Sequence, residues 1–174
     1  PDLSDVEIAN ALNEKRHRWI IVNCSSSSRP LLSKLSGSNR VVITATKSGA
    51  EQNYSRFGDY FSQDLLDPSS DLDHDSSISV LEAFLAASNQ VSRFYADENR
   101  LASEQSLLDD NADRRGTPAV FFRGLRPVKA PADGLKLDGS LASRVLIRSM
   151  GVQKTRSPDQ ILKIEQLQSD VELL

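Results

Sequence analysis

Apolar positions along this chain follow two spacings, and each spacing assigns elements. Trp19-Ile20-Ile21-Val22 is a continuous apolar run, and Arg40-Val41-Val42-Ile43-Thr44-Ala45-Thr46 is a second, rich in β-branched residues. Runs of this kind are expected of strands buried on both faces. Elsewhere apolar residues step by three and four. Ser4-Asp5-Val6-Glu7 forms a capping box, and Val6, Ile8, Ala9, Ala11 and Leu12 continue it as a short amphipathic helix. Tyr54, Phe57, Tyr60, Phe61 and Leu65 predict a helix over 54–66 with its aromatics in the core, and Leu81, Phe84, Leu85, Val91 and Tyr95 predict another over 80–95. A helical piece is expected over 31–35, a short element over 101–108, and a further strand at Ala119-Val120-Phe121-Phe122. Residues 141–147 fit either strand or helix, and Pro127, Pro131 and Gly134 mark the stretch before them as loop. Buried strands separated by helices, without hairpin signals, predict an α/β fold: a mainly parallel sheet flanked by helices.

Pro158 at a first helical position opens a last helix, in which Ile164, Leu167, Val171 and Leu174 span two heptads, too few for a coiled coil. The organisation read from this is one α/β domain over 1–150, carrying an acidic loop at 71–82, then a linker and the start of a C-terminal helix over 151–174. Helix-like patterns at both ends suggest a piece of a longer protein. The 174 residues suffice for a core without disulfides, and the single cysteine, Cys24, allows no intrachain disulfide. A net charge of −3 argues against nucleic-acid binding, which needs concentrated Lys and Arg; Lys15-Arg16-His17-Arg18 is short and reads as a solvated helix end. No apolar run reaches the length of a membrane span, and the acidic, interrupted N-terminus is not a signal peptide.

The strongest chemical signal is Asp71-Leu-Asp73-His-Asp75-Ser-Ser77-Ile-Ser79-Val-Leu-Glu82. It follows the twelve-residue EF-hand spacing, in which alternate oxygens converge on Ca²⁺, an ion that takes six to eight hard oxygen ligands. Asp71, Asp73 and Asp75 take loop positions one, three and five. Ser77 offers a backbone carbonyl, Ser79 a water-bridged position, and Glu82 a bidentate closure. Ile78 is expected to pack inward and His74 to be exposed. Position six, usually Gly because the turn needs positive φ, is Ser76, which implies strain of about 1 kcal/mol. The competing reading is a solvated turn without an ion, because Ser79-Val-Leu-Glu82 is also a helix capping box. Asp109-Asp110-Asn111-Ala112-Asp113 repeats the alternation but lacks a closing Glu and reads as a turn. A weak calcium site favours an extracellular or periplasmic setting, where the ion is abundant.

Beyond Val22 the strand end places Cys24 and Ser25 to Ser28 where parallel α/β folds carry reactive groups. WIIVNCSSSS, RVVITATKSGAEQNYSRFGDYF, DLDHDSSISVLEAF and LASEQSLLDDN together resemble the caspase/legumain-like (clan CD) protease fold, in its bacterial branch with an acidic insertion, over residues 3 to 115. The resemblance implies the C-terminal half of that fold, with a strand ending in a nucleophilic Cys. That residue would fall at Ser25 or Ser26, with Cys24 one or two places early, and the family's catalytic His would lie upstream of Pro1. Neither His17 nor His74 matches it, and an active thiolate needs a neighbouring base or positive charge. The expectation is therefore a calcium-binding, non-catalytic domain of this kind, with a protein or peptide partner and an interaction or regulatory role. The alternative is a cysteine peptidase with Cys24 as nucleophile.

Overall fold

The computed structural model describes residues 4–13, 17–129 and 137–149. Its helices are α1 (Asp5–Asn13), α2 (Arg29–Leu35), α3 (Phe57–Asp64) and α4 (Val80–Asp97). Its strands are β1 (Trp19–Asn23), β2 (Arg40–Thr44), β3 (Ser77–Ser79), β4 (Leu107–Asp109), β5 (Thr117–Pro118), β6 (Phe122–Arg123), β7 (Arg126–Pro127) and β8 (Leu146–Ser149).

The central sheet has the order β1-β2-β4-β5. β1 and β2 run parallel, with Trp19 opposite Arg40 and Val22 opposite Ile43. β4 is antiparallel to β2, pairing Leu108 with Ile43, and β5 is antiparallel to β4. The sheet is thus mixed, which corrects the expectation of a mainly parallel one. The cause is local: after α4 the chain comes back antiparallel and then reverses within 110–116, where Ala112, Arg114 and Gly116 all have positive φ. Three left-handed residues turn the chain without a crossover helix. A Cβ at Gly116 would also lie 2.9 Å from a Leu32 methyl, so the turn closes directly onto α2.

Side-chain alternation along β2 explains its uninterrupted apolar character. Val41 and Ile43 face α3 and α4, among Phe57, Phe61, Leu81 and Phe84. Val42 faces the opposite way, with Leu107, towards Leu32 and Leu35 of α2. With helices on both faces, each position of β2 is buried. α1 contributes only partly buried residues to the second cluster, and the Ser4–Glu7 capping box forms as expected.

Several local expectations change. Tyr54 precedes α3 and is 68% exposed, donating its hydroxyl to Asp59 instead of entering the core. α3 begins later because Glu104, far along the chain, accepts the Arg56 and Phe57 N–H groups and the Ser55 hydroxyl at its start. Ala119–Phe121 is a single 3₁₀ turn, not a strand. It is followed by the β6–β7 hairpin closed at Gly124-Leu125, so the chain does contain a hairpin. Residues 142–144 form a 3₁₀ turn leading into β8, which resolves the strand-or-helix ambiguity there. β8 pairs antiparallel with β3, so the chain beyond 137 returns to the acidic loop. Among the described residues no helix is long and apolar enough to cross a membrane. The helix expected after Pro158, the linker at 151–157, Lys15-Arg16, and the loop markers Pro131 and Gly134 lie outside the described residues.

Candidate metal centre

The acidic loop joins α3 to α4. A 3₁₀ turn at Pro68–Ser70, capped by the Asp67 carboxylate, delivers the chain to Asp71. At the far end, Ser79 caps α4 with a reciprocal box: its hydroxyl accepts from Glu82 N–H, and Glu82 Oε2 accepts from Ser79 N–H at 2.8 Å. Between them, His74 and Ser76 adopt φ values of 58° and 68°. The left-handed turn expected at position six therefore forms with serine in it. Ile78 is fully buried, and His74 is exposed.

Asp71, Asp73 and Glu82 each present one carboxylate oxygen, and these three oxygens lie within 4.8 Å of one another. Asp71 and Glu82 are buried while Asp73 faces solvent, so the cluster opens on one side. Backbone donors support it. Asp71 accepts from Asp75 and Ser76 N–H at 3.1 and 2.9 Å, and Glu82 Oε1 accepts from Leu72 N–H at 2.8 Å. The remaining expected ligands are otherwise engaged. Asp75 accepts from Ser77 N–H at 2.7 Å, the Ser79 hydroxyl donates to Glu82, and Ser77 lies in β3 opposite Ser149. Partial burial, and then the negative charges of Glu82, Asp75 and Asp71, push the Asp73 carboxyl above its ordinary range. Each carboxylate oxygen has two acceptor sites, and in Glu82 all four are taken, Oε1 by the Leu72 and Asp73 N–H groups and Oε2 by the Ser79 N–H and hydroxyl. An ion bound at Glu82 would displace one of these donors.

At the strand end, Cys24 is half-buried beneath α3, where a Cβ on Gly58 would approach its Cβ to 2.7 Å. Burial, reinforced by Asp59, pushes its thiol up, the reverse of what activates a nucleophile. Ser25 is exposed and donates to its neighbour Asn23, Ser26 is half-buried, and Ser28 is buried against Thr46. His17 stacks edge-on beside Trp19 at the opposite end of β1, and His74 sits in the acidic loop.

Three buried acids, Glu104, Asp138 and Asp64, escaped the sequence reading. Glu104 caps α3, as described above. Asp110 and Asp138 form a reciprocal latch. Asp138 accepts Asp110 N–H at 3.0 Å and the Thr117 hydroxyl, and Asp110 accepts the Gly139, Leu141 and Ala142 N–H groups. Burial, with Asp109 and Asp110 nearby, pushes Asp138 up to about 7. Asp64, 1% exposed, accepts from Gln90 and is likewise raised by burial. The turn at 109–113 is self-bonded, Ala112 N–H to Asp109 and Asp113 N–H to Asn111. Nothing in their spacing marks these acids; their partners lie up to 49 residues away. No family model, no curated protein and no solved structure matches the chain.

Proposed function

We propose that residues 71–82 bind Ca²⁺ and that the chain is a calcium-stabilised, non-catalytic domain of the caspase/legumain-like kind, with an interaction or regulatory role. The observation that carries the reading is the convergence of Asp71, Asp73 and Glu82. Two oxygens sharing one Ca²⁺ at 2.3–2.6 Å stand at most about 5 Å apart, which is the spread these three oxygens have. Asp75, the Ser77 carbonyl and Ser79 through a water would complete the shell after small rotations. Calcium suits the site better than magnesium, because the loop offers many flexible oxygens in place of a tight octahedron. An ion held by folded Asp71 and Glu82 would clamp the α3–α4 connection and stabilise the fold by binding only the native state.

The test is a thermal melt in EDTA, in 2 mM Ca²⁺ and in 2 mM Mg²⁺. The reading expects a clear upward shift with Ca²⁺ and a smaller one with Mg²⁺; identical curves in Ca²⁺ and EDTA would end it. The non-catalytic half rests on the shielded, raised Cys24 thiol. Peptide cleavage in Ca²⁺ that vanishes in Cys24→Ala would overturn that half alone.

A further inference from the structure

We propose that residues 137–149 form a strap that Ca²⁺ fastens: the ion at 71–82 and the seated strap each strengthen the other's hold. The inference rests on the calcium reading of that loop and names what the ion regulates. The strap has two anchors. At one, β8 pairs with β3, placing Ser149 opposite Ser77 and Leu146 opposite Ser79, both expected calcium ligands. Val80, where the loop passes into α4, donates its N–H to the Val145 carbonyl at 2.9 Å. At the other, the Asp110 carboxylate accepts three N–H groups, from Gly139 at 2.9 Å, Leu141 at 2.7 Å and Ala142 at 2.8 Å. Asp138 accepts the Asp110 N–H in return. The anchors belong to different parts of the fold, because Asp110 follows β4 of the central sheet.

Backbone bonds hold this segment more than burial does. Of its apolar residues Ala142 is fully buried, Leu141 and Val145 are partly buried, and Leu137, Leu146 and Ile147 are exposed. Gly139, at φ 101°, lies so close to Phe122 that a Cβ there would meet the ring at 2.8 Å. Few apolar contacts and a short run of hydrogen bonds mark a segment that opens locally, before the body of the fold. Among the described strands β8 is the one partner of β3. An open strap therefore leaves β3 unpaired, and with it the backbone that carries the Ser77 carbonyl and positions Ser79. An ion that takes ligands from that backbone binds the seated form better, and by linkage the bound ion favours the seated form by the same factor.

The experiment is amide hydrogen exchange of the whole chain, read residue by residue by NMR in EDTA and in saturating Ca²⁺, with calorimetric Ca²⁺ titration of the wild type and of Gly139→Ala. In EDTA the Val80, Leu141 and Ala142 amides should exchange together, and faster than those of β2. Ca²⁺ should slow all three by one common factor of at least about fivefold, the lower end of ordinary coupling between sites. Gly139→Ala pushes a methyl into Phe122, and should unseat the strap and weaken Ca²⁺ binding by a similar factor. If that variant does not fold, or keeps Leu141 and Ala142 protected, the wild-type exchange ratio decides. Ca²⁺ that slows exchange over 72–77 but leaves Leu141 and Ala142 unchanged overturns the strap while the calcium reading stands. Exchange of Leu141 and Ala142 as slow as that of β2 also overturns it, because the segment then opens only with the whole fold. Ca²⁺ that alters no amide and gives no heat ends the calcium reading, and this inference with it.

Discussion

Asp73 and Glu82 belong to one cluster but do opposite work without an ion, and this difference can be tested. Asp73 is exposed; its carboxylate accepts the Asp75 N–H at 3.2 Å, which an asparagine oxygen can keep. Its charge is opposed by Glu82, Asp75 and Asp71. Asp73→Asn should therefore leave the melting temperature in EDTA unchanged or slightly raised. Glu82 is buried, and its two oxygens accept from Leu72, Asp73 and Ser79, including the Ser79 hydroxyl. An amide offers one acceptor oxygen, so Glu82→Gln strands either the loop or the α4 cap. Losing one side of this charge-assisted network should cost about 2–4 kcal/mol in EDTA. If residues 71–82 bind Ca²⁺ as proposed, the ion reverses the comparison. At a hundredfold excess over Kd the wild type gains about 2.7 kcal/mol, or about 5–10 °C for a chain of this length. If Asp73→Asn weakens binding about a hundredfold, the same calcium adds only about 0.4 kcal/mol, near 1 °C. Differential scanning fluorimetry of the three proteins, with and without Ca²⁺, reads all six values. An Asp73→Asn protein that gains as much from Ca²⁺ as the wild type would refute the shared-ion geometry. An unchanged EDTA melt for Glu82→Gln would refute the structural account of the cap.

Three further outcomes follow from particular contacts. Ser76→Gly relieves a left-handed serine at φ 68° and should stabilise the ion-free protein by about 1 kcal/mol while tightening Ca²⁺ binding, measured by urea unfolding and calorimetric titration. Asp138 is raised to about 7 when folded and returns to about 3.9 when unfolded. The native state therefore holds the extra proton between those values, and the Asp138 contribution to stability is lost as pH rises from about 4 to 7. Asp138→Asn should flatten that part of a urea-midpoint-against-pH curve, and an unchanged slope would show that the latch does not titrate there. Glu104→Gln halves the acceptors for Ser55, Arg56, Phe57 and Tyr95 and should cost about 2–3 kcal/mol, with amide exchange accelerated first at the start of α3.

Much of the fold is legible wherever one face or one run dominates. The all-buried β2 and the half-buried β1 were both marked by continuous apolar residues, although only β2 has a strand on each side; β1 is an edge of the sheet, and Ile20 is 43% exposed. Periodicity located α3 and α4, but it could not say that Tyr54 lies outside α3, because the boundary is set by Glu104 reaching back across 48 residues. The mixed sheet was hidden for a related reason. Strands as short as β4 and β5 carry no direction in their composition, and their antiparallel pairing depends on three positive-φ residues, of which only Gly116 is recognisable in sequence.

The acidic loop was legible because its chemistry is local: six positions within twelve residues set which oxygens can meet. Even so, spacing gave the set of candidates and folding selected among them. Burial brought Asp71 and Glu82 inward, and the backbone turn brought Asp73 beside them, while Asp75 turned to the Ser77 N–H. The acids at 64, 104, 110 and 138 are instead defined mainly by donors elsewhere in the chain, so a twelve-residue window misses most of their interactions. Asp64, Asp73, Asp109 and Asp138 all sit above their ordinary range, and desolvation leads the causes for each. Three of these, Asp64, Asp109 and Asp138, are buried, and a fold that encloses them gains from whatever neutralises them, a proton included. Its stability should therefore respond to cation composition more steeply than its net charge of −3 suggests.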